Sequence, residues 1–137
     1  MDRYLLDTNI VSELRKGRPH GAVLAWLGNQ DENQLFLSAV TLGELQAGIE
    51  ITRRQDAARA REIESWANQL ADAFQVLPMD GSCFREWGRL MDRKSDHLFE
   101  DAMIAATARV HGLVVATRNE ADFKQFGVRI LNPFKTR

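Results

Sequence analysis

Short runs of consecutive apolar residues alternate along this chain with longer segments whose apolar residues recur every three or four positions. Uninterrupted runs lie at 4–6, 35–37 and 113–116, and two further strand candidates, 75–78 and 128–131, each include one polar residue. Uninterrupted apolar runs of this length predict buried strands, which are typical of a parallel sheet covered on both faces.

The longer segments predict helices. Their periodicity is clearest in 56–74, where Ile63, Ala67, Leu70 and Phe74 share one face. Further helices are predicted at 8–15, from Pro19 onward, at 41–54, at 81–93 with Phe84, Trp87 and Met91 inward, and at 101–110 before Gly112. Strands that alternate with helices predict an α/β fold with a mainly parallel sheet of about five strands flanked by helices.

Composition narrows the picture further. The 137 residues suit a single domain over 1–137. Since 18 basic residues face 19 acidic ones, any contact with nucleic acid must be local. Cys83 is the sole cysteine and has no internal partner, and no apolar run approaches about 18 residues. The start of the chain lacks the pattern of a signal peptide. We therefore expect a cytoplasmic protein without a membrane segment.

Polar side chains follow three of the predicted strands closely. In open α/β sheets, sites form beyond the carboxyl ends of the strands, so these side chains are candidates for one shared site. They are Asp7, Glu44, Thr117, Arg118, Asn119 and Asp122. Asp101 begins the helix that leads into the fourth strand, so strand adjacency does not place it.

Carboxylates gathered in one cleft repel each other unless protons or a cation offset their charge. Hard oxygen ligands of this kind suit Mg²⁺ or Mn²⁺. Such ions acidify a bound water, orient a phosphate and stabilise a leaving oxygen. The three histidines are scattered, and no cysteine–histidine pattern indicates zinc.

Each acid also has a purely structural interpretation. Asp7 suits a helix cap, and Thr41-x-x-Glu44 matches a capping box. Asp101 suits the first turn of a helix, and Asp122 suits a turn. The residues alone leave these alternatives open.

The basic and aromatic residues are equally open to two interpretations. Arg118 either contacts phosphate or is a solvated surface residue. The same holds for a group of arginines that is either an RNA-facing rim or a solvated face, namely Arg53, Arg54, Arg59 and Arg61. The three tryptophans lie on apolar helical faces and are expected in the core or in an interface: Trp26, Trp66 and Trp87.

The order and spacing of five segments resemble PIN-domain ribonucleases, specifically toxins of the VapC type and their FitB-like branch. The resemblance covers nearly the whole chain. The segments are Leu5-Leu6-Asp7-Thr8-Asn9, Ser38-Ala39-Val40-Thr41-Leu42-Gly43-Glu44-Leu45, Asp101-Ala102-Met103-Ile104-Ala105-Ala106-Thr107-Ala108, Ala116-Thr117-Arg118-Asn119 and Asn132-Pro133-Phe134.

The resemblance implies a metal-dependent endoribonuclease that leaves a 5′-phosphate and a 3′-hydroxyl. It implies that Asp7 and Asp101 bind Mg²⁺, which Mn²⁺ can replace. It also implies that Glu44, with Asn119 or Asp122, positions the attacking water or a second ion. Many relatives carry a fourth acid where this chain has Asn119, and Asp122 is the candidate substitute. RNA contacts are expected from Thr8, Thr117 and Arg118.

The resemblance further implies a cognate antitoxin of the VapB or FitA type and a homodimer. Asn119 leaves one rival open, a PIN module that binds a partner or RNA without catalysis.

Overall fold

The fold is built on a five-stranded parallel sheet. The computed structural model describes residues 1–135, so Thr136 and Arg137 of the expected domain lie outside the described residues. The strands are β1 (Tyr4–Leu6), β2 (Leu35–Ser38), β3 (Gln75–Leu77), β4 (Val114–Ala116) and β5 (Ile130–Leu131). Their order is β3-β2-β1-β4-β5, and every neighbouring pair is parallel. The predicted α/β architecture is confirmed.

Helices connect the strands and cover both faces of the sheet. They are α1 (Thr8–Glu13), α2 (Gly21–Gly28), α3 (Ala39–Arg53), α4 (Ala57–Ala73), α5 (Gly81–Leu90), α6 (Phe99–His111) and α7 (Glu120–Lys124). Two short 3-10 helices lie at Glu32–Gln34 and Asp96–Leu98.

Alternate residues of the strands enter two separate cores because successive side chains of a strand point to opposite faces. Leu5 pairs in register with Phe36 and Val115, and all three belong to the core beneath α6. The neighbouring residues of these strands enter the second core, beneath α1 and α2: Leu6, Leu37 and Ala116. This register aligns β1, β2 and β4, so their carboxyl ends meet at one edge of the sheet.

Two helices of the site begin earlier than predicted. α3 begins at Ala39 because the Ser38 hydroxyl accepts a 3.0 Å hydrogen bond from the Val40 N–H, which caps the helix. Thr41 is therefore internal, and its predicted role as the first residue is wrong. α6 begins at Phe99, which leaves Asp101 within its first turn rather than at its start.

The other boundary errors also have local causes. α2 begins at Gly21 rather than Pro19, because the His20 ring accepts a hydrogen bond from the Ala22 N–H at 3.2 Å. α5 ends at Leu90 rather than 93, since Arg93 adopts a left-handed φ of 63°. α1, β3, β4 and β5 are shorter than their predicted ranges.

Two other expectations about the helices do not hold. Phe84 was expected inward on α5 but is exposed, with its ring edge-to-face against Trp87. α7 has no predicted counterpart, because five residues are too few to show helical periodicity. Its buried Phe123 anchors it to the core beneath α6.

α6 ends as predicted, with Gly112 following at a left-handed φ of 68°. Across residues 1–135, no helix combines the length and the apolar character needed to cross a membrane.

Candidate active site at the carboxyl edge of the sheet

Asp7 lies at the centre of the edge, directly after β1. Its side chain is buried and caps α1, since Oδ1 accepts the Thr8 N–H at 2.8 Å. Its second oxygen, Oδ2, accepts from the Asn9 amide at 2.9 Å and from the Thr117 hydroxyl at 2.7 Å. Desolvation nevertheless raises the pKa of Asp7 above its ordinary value, because burial outweighs these hydrogen bonds. Asp7 is therefore both a helix cap and a carboxylate whose charged form is destabilised by burial.

Glu44 reaches the same edge from α3. The carboxylate accepts a 2.8 Å hydrogen bond from the Thr8 hydroxyl, which lies 3.0 Å from the hydroxyl of buried Thr41. Glu44 does not bond the backbone at the start of α3, where Ser38 caps the helix. The capping-box interpretation is therefore wrong. Partial desolvation raises the pKa of Glu44, and the charges of Asp7 and Glu100 raise it further.

Asp101 and Asp122 complete the acidic group. The pKa of Asp101 rises to about 7, first through desolvation and then through the charges of Asp7, Asp122 and Glu44. A hydrogen bond with Asp122 adds to the rise, since two carboxyl groups can share one only when one is protonated. Asp122 lies in α7, so its interpretation as a turn residue is wrong. We call Asp7, Glu44, Asp101 and Asp122 the acidic cluster.

Asn119 stands apart from this cluster. It occupies the N-cap position of α7, where its backbone carbonyl accepts the Phe123 N–H at 3.3 Å. Its backbone N–H donates to the Thr117 hydroxyl oxygen at 2.9 Å. Its exposed side chain makes no hydrogen bond within residues 1–135. The structure thus brings Asp122 beside Asp101.

The three predicted substrate-binding residues differ in exposure. Thr117 is fully buried, and its hydroxyl is committed to Asp7 and the Asn119 N–H. A side chain enclosed in this way has no surface for RNA, so we replace its predicted substrate contact with a supporting role for Asp7. Thr8 is half-buried beside Glu44, and Arg118 is exposed.

Basic residues on the α3 and α4 side are paired with acids. Arg53 forms ion pairs with Glu50 and Glu64, each at 2.9 Å, and Arg59 pairs with Glu62 at 3.3 Å. These contacts favour the solvated-face interpretation for Arg53 and Arg59. Of the three tryptophans, Trp26 is buried and the other two are half-buried, as expected for core or interface residues.

Two supporting residues carry no clear sequence signal. Asn9 links Asp7 to the Arg118 backbone N–H, which donates to Asn9 Oδ1 at 3.3 Å. Thr41 supports Thr8 from within α3. The only available hint for Asn9 is its position two residues after Asp7 in a capping turn. Thr41 is recognisable only once the start of α3 is known.

The donor set of the acidic cluster suits a hard divalent cation. All four members offer carboxylate oxygens, and the charged groups that most affect Asp7, Glu44 and Asp101 are carboxylates too. A cation would relieve this mutual repulsion. Within the described part of the chain, however, no three His, Cys, Asp or Glu side chains converge closely enough to hold an ion directly. The chemistry of the site fits a metal, although the carboxylates do not form a closed set of ligands.

Comparison with known proteins agrees with this arrangement. The family model of the PIN domain matches residues 4–128. The VapC ribonuclease Y4jK of Sinorhizobium fredii is 39% identical, over 96% of this chain and 97% of its own length. Toxin FitB of Neisseria gonorrhoeae is 31% identical, over 95% and 97%. The crystal structure of FitAcB from the same organism superimposes with a TM-score of 0.86 at 29% identity, covering 97% of this chain and 99% of that one.

The chain therefore belongs to the PIN domain family, in the branch that contains the VapC and FitB toxins.

Proposed function

We propose that this chain is an endoribonuclease that hydrolyses RNA phosphodiester bonds as the toxin of a type II toxin–antitoxin system, and that it acts as a single domain. The observation that carries the proposal is the acidic cluster, in which the end of β1 and the helices α3, α6 and α7 bring four carboxylates to one edge. The likeness to a VapC ribonuclease over almost the whole chain supports it.

We propose Mg²⁺ as the cofactor, with Mn²⁺ able to replace it. Asp7 and Asp101 would hold the ion, which supplies an acidified water and neutralises charge on the phosphate. Glu44, held by the Thr8 hydroxyl, orients the attacking water. Asp122 serves as the fourth acid in place of Asn119. In-line attack of water on phosphorus would break the bond to the 3′ oxygen and leave a 5′-phosphate and a 3′-hydroxyl.

The test is cleavage of total cellular RNA by the purified protein in Mg²⁺, in Mn²⁺ and in EDTA. We expect cleavage with either ion, none in EDTA, and recovery when Mg²⁺ is restored. Asp101→Asn should lower the rate by about 100-fold or more, the range for loss of a principal electrostatic group.

The matched control is Asp72→Asn, which removes an exposed carboxylate near the end of α4. That end leads into β3 and so lies at the opposite edge of the sheet. Cleavage that persists in EDTA would refute the metal proposal. Full activity in Asp101→Asn would refute the assignment of the site.

The non-catalytic alternative rested on the neutral Asn119 at the position of a fourth acid. Asp122 supplies a fourth carboxylate beside Asp101, which favours the nuclease. Titration with Mn²⁺ separates the two possibilities. A nuclease should bind Mn²⁺ more tightly than its Asp7→Ala, Asp101→Ala variant, whereas an inactive module should bind no better than that variant.

We further propose an antitoxin of the VapB or FitA type as partner and a homodimer as the toxin's own assembly. The support is the likeness to FitB in the FitAcB structure. Co-expression with the gene adjacent to that of the toxin, followed by size-exclusion chromatography, tests both. A monomer that never co-elutes with the neighbouring product would contradict them.

A further inference from the structure

Arg118 is tied to the same network that positions Asp7. It follows Thr117 at the carboxyl end of β4, and the Thr117 hydroxyl bonds Asp7 at 2.7 Å. The Arg118 backbone N–H donates to Asn9 Oδ1 at 3.3 Å, and the Asn9 amide also bonds Asp7. The backbone of Arg118 is therefore fixed relative to the acidic cluster.

The side chain of Arg118 is also held in place. Its guanidinium carbon lies 3.8 Å from the centroid of the Phe134 ring. That ring packs edge-to-face against His20 at 5.0 Å between centroids, and the Phe134 N–H donates to Asn132 Oδ1 at 3.0 Å. The Asn132 amide in turn donates to Glu120 at 2.9 Å. Because the Phe134 ring is anchored, stacking on it restricts the Arg118 side chain before any ligand binds. Binding therefore costs less side-chain entropy than it would for a free arginine.

Stacking on Phe134 leaves the hydrogen-bonding edge of Arg118 available. The ring occupies one face of the guanidinium, whereas the N–H donors lie in its plane and match two oxygens of a phosphate. Within residues 1–135 the guanidinium donates no hydrogen bond, and its side chain is exposed. Its charge is felt by Glu13, but that carboxylate already accepts from Lys16 at 2.8 Å and from the His20 N–H at 2.9 Å.

The strand order places this cation beside the acids along one line. Across β2, β1, β4 and β5, the residues beyond the strand ends are Glu44, Asp7, Arg118 and Phe134 in turn. Neighbouring strands are about 4.8 Å apart, so Arg118 begins roughly one strand spacing from Asp7. An RNA strand that crosses this edge with one phosphate at the acids passes next over Arg118.

We propose that Arg118, supported by Phe134, binds the RNA phosphate adjacent to the scissile one and so positions the substrate in the cleft. This inference rests on the proposed ribonuclease function. Phe134 acts through Arg118 and is a positioning residue.

The test measures binding of a fluorescent 12-nucleotide single-stranded RNA of mixed sequence at several salt concentrations. An Asp101→Asn background in Mg²⁺ prevents cleavage. Arg118→Gln should weaken binding about tenfold, the effect of losing a charge-assisted contact. It should also reduce the slope of log affinity against log salt by about 0.7, the value for one phosphate contact on single-stranded nucleic acid.

Two further variants separate charge from support. Arg118→Lys keeps the charge, so the salt slope should stay unchanged while affinity falls less than in Arg118→Gln. Phe134→Leu also keeps the charge, and should weaken binding about threefold with an unchanged slope. Arg85→Gln is the matched control, because Arg85 is exposed on α5 and makes no ion pair within residues 1–135. It should bind RNA with the affinity and slope of the background protein.

Steady-state cleavage by the single variant Arg118→Gln supplies an independent readout. Loss of a contact made equally in the ground and transition states raises KM and leaves kcat near the wild-type value. Unchanged RNA affinity and salt slope in Arg118→Gln would overturn the inference, as would equal losses in Arg85→Gln. The ribonuclease proposal would survive either result if the wild-type protein cleaves RNA. The ribonuclease proposal itself fails only if the wild-type protein does not cleave RNA.

Discussion

The Thr117 hydroxyl donates a buried 2.7 Å hydrogen bond to Asp7 Oδ2, across a separation of 110 residues in the sequence. Thr117 follows β4 and Asp7 follows β1, and the two strands are joined there by the bond from the Asp7 N–H to the Ala116 carbonyl at 2.9 Å. Strand pairing therefore sets the position of the carboxylate that lies at the centre of the acidic cluster.

Thr117→Val should impair cleavage more than it impairs folding. The variant keeps the shape of the side chain but removes the donor, and so leaves Asp7 Oδ2 with the Asn9 amide alone. We expect a loss of about 1–2 kcal/mol in the free energy of unfolding, the usual cost of an unmade buried hydrogen bond. Cleavage should fall at least tenfold, and Thr117→Ser should retain most of the activity. Chemical denaturation and RNA cleavage assays measure the two effects.

Thr107→Val provides the control for this substitution. Thr107 is fully buried too, but its hydroxyl bonds the Met103 carbonyl at 2.9 Å within α6, away from Asp7. A similar loss of stability with normal cleavage is expected. If Thr117→Val cleaves RNA at the wild-type rate, the hydroxyl does not position Asp7.

Asp122→Asn should be far more damaging than any change at Asn119. Asp122 interacts with Asp7 and Asp101, whereas the exposed Asn119 side chain makes no hydrogen bond within residues 1–135. We expect Asp122→Asn to lower the cleavage rate by about 100-fold. Asn119→Ala should change the rate by less than about fivefold, since it retains the backbone contacts at the start of α7. The reverse ranking in a side-by-side cleavage assay would show that Asn119 supplies the fourth ligand.

The strands β1, β2 and β4 and their burial were predictable because uninterrupted apolar runs leave few alternatives to a parallel sheet, whereas β3 and β5 are only partly buried. The convergence of Asp7 and Glu44 follows from that sheet, since both come soon after a strand. Asp122 follows the fourth strand and was a candidate on that ground, but its place in α7 was not predicted. Asp101 lies in α6 before that strand, so strand adjacency did not place it. Thr117 and Asn119 are two residues apart, yet Thr117 is buried against Asp7 and Asn119 is exposed. Short-range sequence patterns do not determine which of the two side chains points inward.

Thr8→Val tests the support of Glu44. The Thr8 hydroxyl bond lowers the pKa of Glu44 and so opposes the effect of desolvation. Its removal should shift the acidic limb of the pH–rate profile to higher pH and reduce cleavage at neutral pH. Thr8→Ser keeps the hydroxyl and should resemble the wild type. An acidic limb that stays in place in Thr8→Val would show that Glu44 ionisation does not govern the rate.

In the absence of divalent metal, the protein should become less stable as the pH rises from 5 to about 7, and the loss should level off above pH 7. The pKa of Asp101 is about 7 in the folded chain against an ordinary value of 3.8. Between these values the folded state binds more protons than the unfolded state, so stability falls as the pH rises toward 7 and changes little above it. The pKa values of Asp7 and Glu44 are also raised, which acts in the same direction.

Thermal unfolding in EDTA at pH 5, 6, 7 and 8 measures this effect, with Asp101→Asn as the comparison. The variant should unfold at a higher temperature than the wild type at pH 8, and the two should converge toward pH 5. The two proteins differ only at residue 101, so the difference between their curves reports Asp101 and its effect on the neighbouring carboxylates. Asp72→Asn should follow the wild-type curve. Mg²⁺ at pH 8 should raise the unfolding temperature of the wild type more than that of Asp101→Asn, because ligand that binds only the folded state stabilises it. A constant difference between wild type and Asp101→Asn across the pH range would contradict the raised pKa.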